Sequence, residues 1–166
     1  MSGCAAFDAT DSNDAAPPLD APSADAALVD AASDAQLPCV DGDLAMTDPA
    51  TGRCYMFFDD QENWNNARAL CESVGSRVTL AAITSAAEDD FVGTFITNDI
   101  WLGGNDIATE GQFVWITGEA FVFTDWRSGE PNNDGNEDCV VFEGTQGGTW
   151  DDRGCNNNLR YLCERP

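Results

Sequence analysis

The stretch that most constrains this chain is residues 130–152, which read EPNNDGNEDCVVFEGTQGGTWDD. Oxygen-bearing side chains crowd both of its ends: Glu130, Asn132, Asn133, Asp134, Asn136, Glu137, Asp138, Asp151 and Asp152. Because the chain contains no His, it lacks a preferred ligand of zinc and other borderline metals. Ca²⁺ instead takes about six to eight oxygen ligands. Two acidic groups held by Cys139 and Cys155 therefore predict a Ca²⁺ site, and the alternative is a solvated acidic loop.

The charge of the chain excludes some classes of partner. Its 166 residues carry a formal net charge of −23, and all seven basic residues are Arg. Such a chain repels nucleic acid and anionic membrane surfaces, so we expect neither as a partner. Bound divalent cations would offset the self-repulsion of so many acids. No apolar run in the sequence is long enough to span a bilayer.

The seven cysteines indicate an oxidising compartment. They include no Cys-x-x-Cys pair, which together with the missing His argues against a zinc site and against thioredoxin-like redox chemistry. Widely spaced cysteines in a small acidic domain are typical of a disulfide framework. We therefore expect an exported protein, located outside the cell or on its surface.

Residues 1–38 differ in composition from the rest of the chain. They consist mainly of Ala, Asp, Pro and Ser, without a basic residue, and predict a disordered, extended tether ahead of a folded domain at 39–166. Cys4 follows Ser-Gly, as in the last residues of a bacterial lipoprotein cleavage site, so we expect a lipid anchor on Cys4 and an outer-membrane location. The alternatives are a stray thiol or an intermolecular disulfide. The sequence shows no signal peptide, so we expect a mature or a truncated form.

The first half of the folded domain predicts a hairpin and two helices. Cys39 and Cys54 flank a turn-rich segment that fits a hairpin closed by a local disulfide, and CYMFF then predicts a strand. Apolar residues at helical spacing predict a helix over 60–74 that stops at Gly75: Trp64, Ala67, Leu70, Cys71 and Val74. A second helix is predicted from Ser85 to Thr97, with Ser85 and Glu88 as its capping box.

The second half of the domain predicts short strands separated by long polar loops. The strand-like segments are IWLGG, FVWI, FVFTDW, CVVF, GTW and LRYLCE. Two helices followed by strands indicate an α+β fold. The tryptophans in this half are predicted to pack in the core or beneath the loops rather than to stack on a sugar: Trp101, Trp115, Trp126 and Trp150.

These features together resemble the C-type lectin-like domains, over Cys39 to Pro166. The features that carry the resemblance occur in the family's order: Cys71, the Trp-Leu-Gly-Gly at 101–104, Glu130-Pro131-Asn132, Glu137-Asp138-Cys139, Trp150-Asp151-Asp152, Cys155 and the Leu-Cys-Glu around Cys163. The resemblance implies small antiparallel sheets, long Ca²⁺-binding loops and disulfides Cys71–Cys163 and Cys139–Cys155. It also implies Cys39–Cys54, the additional bridge of long-form members.

The resemblance implies a principal Ca²⁺ site made by Glu130, Asn132, Glu137, Asp151 and Asp152. In the family, the ion also binds two vicinal sugar hydroxyls, and the ligand side chains hydrogen-bond to them. Carbohydrate contacts are therefore expected from Glu130, Asn132, Glu137 and Asp151. Glu-Pro-Asn resembles the version that selects equatorial 3,4-diols, as in mannose, glucose and N-acetylglucosamine, with fucose bound through equivalent geometry. It also implies a cis Pro131 in the ion-bound form.

Asp151 departs from the family pattern, because sugar-binding members usually have Asn at this position. An ionised Asp has no N–H, so one of two amide donors to the sugar is lost. A charge-assisted hydrogen bond contributes about 1.5–3 kcal/mol, enough to weaken an already weak monosaccharide contact. The ion site is therefore a firmer expectation than sugar binding.

An auxiliary Ca²⁺ site is also implied, with Asp106 and Glu110 from NDIATEGQF joining Asp138. Glu137 would bridge the two ions. Either Asn133 or Asp134 would complete this second site. The alternative is ordinary loop polarity.

The sequence thus predicts a Ca²⁺-dependent carbohydrate-binding module, tethered to a surface for adhesion or recognition and displayed in many copies. The alternative is a protein-binding or structural subunit in which Ca²⁺ stabilises the loops without sugar binding. An enzyme is not expected, because the chain lacks His and its thiols are assigned to disulfides.

Overall fold

The computed structural model describes residues 38–166, so most of the predicted tether, with Cys4, lies outside the described residues. Eight strands occur in chain order: β1 (Leu44–Thr47), β2 (Cys54–Glu62), β3 (Thr79–Leu80), β4 (Asp99–Asn105), β5 (Val114–Trp115), β6 (Cys139–Glu143), β7 (Thr149–Arg153) and β8 (Leu159–Arg165). Two helices lie between β2 and β4: α1 (Trp64–Val74) and α2 (Ala86–Gly93). A short 3₁₀ turn, Gly144–Gln146, joins β6 to β7.

The strands form a sheet in the order β1-β2-β8-β4-β6-β7, with β3 paired to β8 and β5 paired to β4. The β4–β8 pair is parallel, and the other pairs are antiparallel. Because β2 pairs with β8 from Cys54↔Arg165 to Glu62↔Leu159, the two ends of the domain meet in the sheet. This arrangement confirms the predicted α+β class and the predicted hairpin, which β1 and β2 form.

Helix α1 begins later than predicted. Residues 60–62 continue strand β2, where Glu62 pairs with Leu159, and the Asn63 side chain then caps the helix by accepting from Asn66 N–H. The helix ends before Gly75, as predicted. Its buried face contains Trp64, Ala67 and Cys71, whereas the predicted apolar Leu70 is 40% exposed.

Helix α2 begins at the predicted cap, because Ser85 Oγ accepts from Glu88 N–H. It ends at Gly93 rather than at Thr97, since the N–H of Thr94 turns back to the carbonyls of Phe91 and Val92. The Glu88 carboxylate accepts from the N–H and the Oγ1 of Thr84, the residue before the cap.

The strand predicted for FVFTDW is wrong. Within residues 121–126, only Trp126 forms a bridge, with Trp150. Backbone pairing is limited to Trp150, whose N–H donates to Asp125 O at 2.7 Å and whose carbonyl accepts from Arg127 N–H at 2.8 Å. The Phe121 and Phe123 rings hold the segment by packing on Trp150. Side-chain packing therefore replaces the ladder of a strand.

Two hydrophobic clusters stabilise the fold. Trp115 and Trp150 lie in one of them and Trp101 lies in the other, all nearly inaccessible to solvent. Trp126 is partly buried against the first cluster. These four positions confirm the predicted packing role of the tryptophans.

The three expected disulfides are present: Cys39–Cys54, Cys71–Cys163 and Cys139–Cys155. Cys71–Cys163 joins α1 to β8 across 92 residues, so it constrains the unfolded chain most strongly. Neither described helix combines the length and apolar character required to cross a bilayer.

The hydrogen bond between Asp89 of α2 and Trp150 at the start of β7 can be tested. Its Oδ1 accepts from Trp150 Nε1 at 2.8 Å, and burial raises the pKa of Asp89 from 3.8 to about 6. The folded protein therefore binds this proton more tightly than the unfolded chain. The resulting stabilisation is complete below the unfolded pKa and is lost as the pH rises through about 6.

We expect Asp89→Asn to keep the contact, through its amide oxygen, and to remove the titration. Between pH 4 and pH 7, the wild type should lose about 1–2 kcal/mol of unfolding free energy relative to D89N, after allowance for solvent screening. Urea denaturation of chelator-treated proteins at several pH values measures this difference. Parallel pH profiles for the two proteins would contradict the assignment.

Candidate functional site

The site begins on β7, directly after the buried Trp150. Asp151 and Asp152 lie opposite Val141 and Val140 of β6, and they are only 6% and 1% exposed. Two buried carboxylates at successive positions are costly unless they are compensated. Their burial therefore indicates a compensating charge or donor at this end of the sheet.

Glu130 is brought to the same place by the backbone that runs beside β7. Arg127 N–H donates to Trp150 O at 2.8 Å, and Glu130 N–H donates to Arg127 O at 2.9 Å, which closes a turn. The Glu130–Pro131 peptide bond is cis, as expected. The Glu130 side chain is 6% exposed.

The loop after Pro131 is tied to Asp152. Asp152 Oδ1 accepts from the backbone N–H of Asn132 at 3.0 Å, and Asp152 Oδ2 accepts from the backbone N–H of Asn133 at 2.9 Å. Asn133 and Glu137 are joined in turn, since Glu137 N–H donates to Asn133 Oδ1 at 2.7 Å. The Asn side chains therefore organise the loop as well as carrying candidate ligand oxygens.

Three of the five residues predicted for the principal site converge. One carboxylate oxygen each from Glu130, Asp151 and Asp152 lies within 4.8 Å of the others. Asn132 and Glu137 lie on the adjoining loop, where Asn132 Oδ1 and Glu137 Oε2 both accept from Asp134 N–H, at 2.7 and 3.0 Å. Their participation in the same ligand set stays a prediction.

The donor set fits a hard cation. Among residues 38–166, no hydrogen-bond donor reaches the buried Glu130 Oε2. Burial raises the pKa of Glu130, and the neighbouring Asp151 adds to this effect. The pKa of Glu137 is also raised, by burial first. A buried carboxylate oxygen without a donor, on a side chain that converges with two further carboxylates, would be satisfied by an oxygen-preferring cation such as Ca²⁺.

The residues predicted for the auxiliary Ca²⁺ site lie less close together than Glu130, Asp151 and Asp152 do. Asp106 is 1% exposed, and its Oδ2 accepts from Gly111 N–H at 2.7 Å. Its Oδ1 is buried and has no hydrogen-bond donor within the part of the chain that the structure describes. Asp106 N–H donates to the carbonyl of Asp138 at 3.1 Å, which links the two predicted segments. Burial raises the pKa of Asp106, and Asp138 contributes.

Glu110 and Asp134 are exposed, and Asp138 Oδ2 accepts from Asn136 Nδ2 at 2.6 Å. These residues do not join the closely spaced carboxylate group found within residues 38–166. The auxiliary site therefore stays a prediction.

Sequence reasoning missed a ring of alternating charges beneath the converging carboxylates. Arg127 Nε lies 2.7 Å from Glu143 Oε2, and Arg153 Nη2 lies 2.7 Å from Glu143 Oε1. Arg153 Nε donates to Asp151 Oδ2 at 3.0 Å. Arg127 Nη2 closes the ring 3.4 Å from Asp151 Oδ1. The two guanidinium groups thus offset the charge of buried Glu143 and Asp151.

Part of this ring has a signal in the sequence. Arg153 follows Asp151 by two residues in a strand, so their side chains lie on the same face. Arg127 precedes Glu130 by three residues. Glu143 could not be assigned to the ring without the pairing of β6 with β7.

The two Asp152 contacts give a test of how the loop is held. Asp152→Ala removes both backbone acceptors, so the amides of Asn132 and Asn133 should exchange with solvent at least about tenfold faster. Hydrogen exchange of the chelator-treated protein measures this. Asp134→Ala alters an exposed side chain in the same loop and serves as the control. If the Asn132 and Asn133 amides exchange equally slowly in D152A and D134A, Asp152 does not hold the loop in this way.

Comparison with protein families matches residues 60–165 to the Lectin C-type domain. Lectin BRA-3 of Megabalanus rosa is 44% identical over 117 residues, which cover 69% of this chain and 72% of that protein. C-type lectin domain family 17, member A, of Homo sapiens is 36% identical over 119 residues. That alignment covers 70% of this chain but 30% of the human protein.

A solved structure has a similar fold. The cow C-type carbohydrate-recognition domain of CD23, crystallised in the presence of a GlcNAc2Man3 oligosaccharide, has a TM-score of 0.64 at 32% identity. The match covers 68% of this chain and 87% of that chain. It confirms the expected fold class, with its two helices and three disulfides.

Proposed function

The chain belongs to the C-type lectin domain family, and from this premise we propose that residues 39–166 form a Ca²⁺-dependent carbohydrate-binding module. The observation that carries the proposal is the convergence of carboxylate oxygens from Glu130, Asp151 and Asp152 within 4.8 Å. A buried Glu130 oxygen without a hydrogen-bond donor among residues 38–166 supports the same conclusion.

Ca²⁺ is proposed to be held by Glu130, Asn132, Glu137, Asp151 and Asp152. When bound, the ion supplies a positive centre for two vicinal hydroxyl oxygens of a sugar. The side chains of the chain then define the orientation of the sugar. Carboxylates such as Glu130 and Glu137 accept from its hydroxyls, and the amide of Asn132 donates to one of them.

The glycans proposed as ligands carry equatorial 3,4-diols, as in mannose and N-acetylglucosamine, or present a vicinal diol of equivalent geometry, as in fucose. Glu130-Pro131-Asn132 supports this choice, as does the similar domain whose crystal structure was determined in the presence of a GlcNAc2Man3 oligosaccharide. A second Ca²⁺ is proposed at Asp106, Glu110, Asp134 and Asp138, with Glu137 between the two ions. The buried, unsatisfied Asp106 oxygen supports this second site within the described chain.

A second candidate function is a Ca²⁺-stabilised protein-binding or structural domain without sugar binding. The observation that favours it is Asp151, whose carboxylate cannot donate to a sugar hydroxyl and whose Oδ2 already accepts from Arg153. In this case, the ion would only hold the loops against the sheet.

We propose an extracellular or cell-surface location for adhesion or recognition, which the three disulfides support. A lipid anchor at Cys4, a bacterial setting and display in many copies stay predictions, since Cys4 lies outside the described residues. No catalytic role is proposed. Measurable glycoside hydrolysis by the purified protein would contradict this view.

A glycan array probed with bead-clustered protein tests the proposal. We expect binding to mannose- or fucose-bearing glycans in Ca²⁺ that disappears with EGTA. Glu130→Gln should abolish it, because the amide replaces a carboxylate ligand. Glu72→Gln, which changes the same functional group on the exposed face of α1, is the control and should bind normally.

An array without chelator-sensitive binding, combined with thermal stabilisation by Ca²⁺, would favour the second candidate function. Absence of both effects would contradict the proposed ion site as well.

Asp151→Asn tests the missing donor. The amide restores an N–H toward the sugar, so we expect mannose to bind about tenfold more tightly or better, at some loss of Ca²⁺ affinity. Competition with free mannose on a mannosylated surface, at saturating Ca²⁺, measures the change. Equal inhibition of D151N and wild type would show that Asp151 does not limit sugar binding.

A further inference from the structure

Arg127 extends from the ring of charges into the ligand cluster. Its Nη2 donates to Glu130 Oε1 at 2.9 Å and lies 3.4 Å from Asp151 Oδ1. These contacts place a single guanidinium nitrogen against two of the three converging carboxylates. A positive charge in this position offsets the repulsion between them.

The position of Arg127 is fixed from both sides. Its backbone N–H is bonded to Trp150 O, and its carbonyl accepts from Glu130 N–H. Its Nε is paired with Glu143 Oε2 at 2.7 Å, and the Glu143 side chain is only 4% exposed. The guanidinium is therefore held at Nε by Glu143, while its Nη2 points toward the candidate ligands Glu130 and Asp151. The Arg127 side chain is 42% exposed, so this outer end remains accessible to solvent.

From these contacts, we infer that Arg127 is a resident counter-cation of the principal site and that it sets the Ca²⁺ affinity. Without Ca²⁺, its Nη2 holds Glu130 and Asp151 together. An ion that enters binds oxygens of the same carboxylates and meets the charge of the guanidinium beside them. The inference rests on the proposed Ca²⁺ site, and it assigns to Arg127 a role that the sequence pattern did not indicate.

The sign of the effect follows from the charges. Arg127 attracts the ligand carboxylates in both states, but it repels a divalent cation bound beside it. It therefore stabilises the Ca²⁺-free protein more than the Ca²⁺-bound protein. Two unit charges a few ångströms apart interact appreciably even at the dielectric constant of water, and a divalent ion doubles the interaction. Removing the charge of Arg127 should therefore tighten Ca²⁺ binding by about tenfold or more.

The test uses three variants of the full chain. Arg127→Gln removes the charge. Arg127→Lys keeps a positive charge, but a lysine lacks the planar guanidinium that lets Arg127 contact Glu143 and Glu130 at the same time. Arg68→Gln makes the same charge change far along α1, where Arg68 pairs with exposed Glu72, and it is the matched control. Ca²⁺ dissociation constants come from calorimetry, and melting temperatures are measured in EGTA and in Ca²⁺.

For R127Q we expect a Ca²⁺ dissociation constant at least about tenfold lower than that of R68Q, and a lower melting temperature in EGTA. In saturating Ca²⁺, the melting temperature of R127Q should approach that of R68Q. For R127K we expect an intermediate dissociation constant. A merely structural Arg127 would lower stability in both conditions and would weaken or leave unchanged the Ca²⁺ affinity.

Each other outcome is decisive. An R127Q dissociation constant equal to or higher than that of R68Q overturns the role of Arg127 but leaves the proposed function standing. If R127Q does not fold even in Ca²⁺, Arg127→Met, which also removes the charge, decides: binding at least about threefold tighter than that of R68Q supports the inference, and equal binding overturns it. Absence of Ca²⁺ binding in the wild type overturns both the inference and the proposed function.

Discussion

The site depends on how Trp150 is held. Its ring packs against Trp115, Phe123 and Trp126 beneath the long loops, and its Nε1 is bonded to Asp89 of α2. Its backbone N–H and carbonyl bind the segment that leads to Glu130. The residues that follow directly, Asp151 and Asp152, are consequently delivered beside Glu130 with little freedom. One aromatic residue thus connects the core, the second helix and the ligand cluster.

Convergence of acidic side chains requires compensation, because buried carboxylates without partners are strongly unfavourable. Two kinds of group supply it on the protein side. Backbone N–H groups of the loop satisfy Asp152, and the guanidinium groups of Arg127 and Arg153 balance Asp151 and Glu143. Within residues 38–166, Glu130 Oε2 has no hydrogen-bond donor, and Glu143 Oε2 is compensated only by its ion pair with Arg127 Nε. The proposed Ca²⁺ ion would complete this arrangement, because it would bring positive charge and because Ca²⁺ accepts oxygen ligands in flexible number.

The sequence predicted the parts of the fold that carry strong local patterns. The cap at Ser85, the stop before Gly75 and the disulfides follow from residue type and from the family's order of cysteines. The strand at FVFTDW failed because its alternating aromatics serve packing on Trp150 rather than a ladder, and side-chain pattern alone does not distinguish the two. The start of α1 was placed too early, since Asp60 to Glu62 still belong to a strand whose partner lies about 100 residues later.

The candidate ligands could be predicted, but their electrostatic surroundings could not. Glu130, Asp151 and Asp152 stand in recognisable motifs, so their convergence was expected. The ring that includes Glu143 depends on the register of β6 against β7, which no local motif encodes. The departure from the family at Asp151 gains a physical context from this ring, because Arg153 already donates to the carboxylate.

The central claim is that a Ca²⁺ ion at Glu130, Asp151 and Asp152 binds the sugar directly. A crystal structure of the protein with Ca²⁺ and methyl mannoside, with anomalous data collected at long wavelength, tests it most directly. The account predicts an anomalous peak about 2.3–2.6 Å from oxygens of these three residues, with two sugar hydroxyls bound to the same ion. A sugar bound away from this peak, or no peak between the three carboxylates, would contradict it.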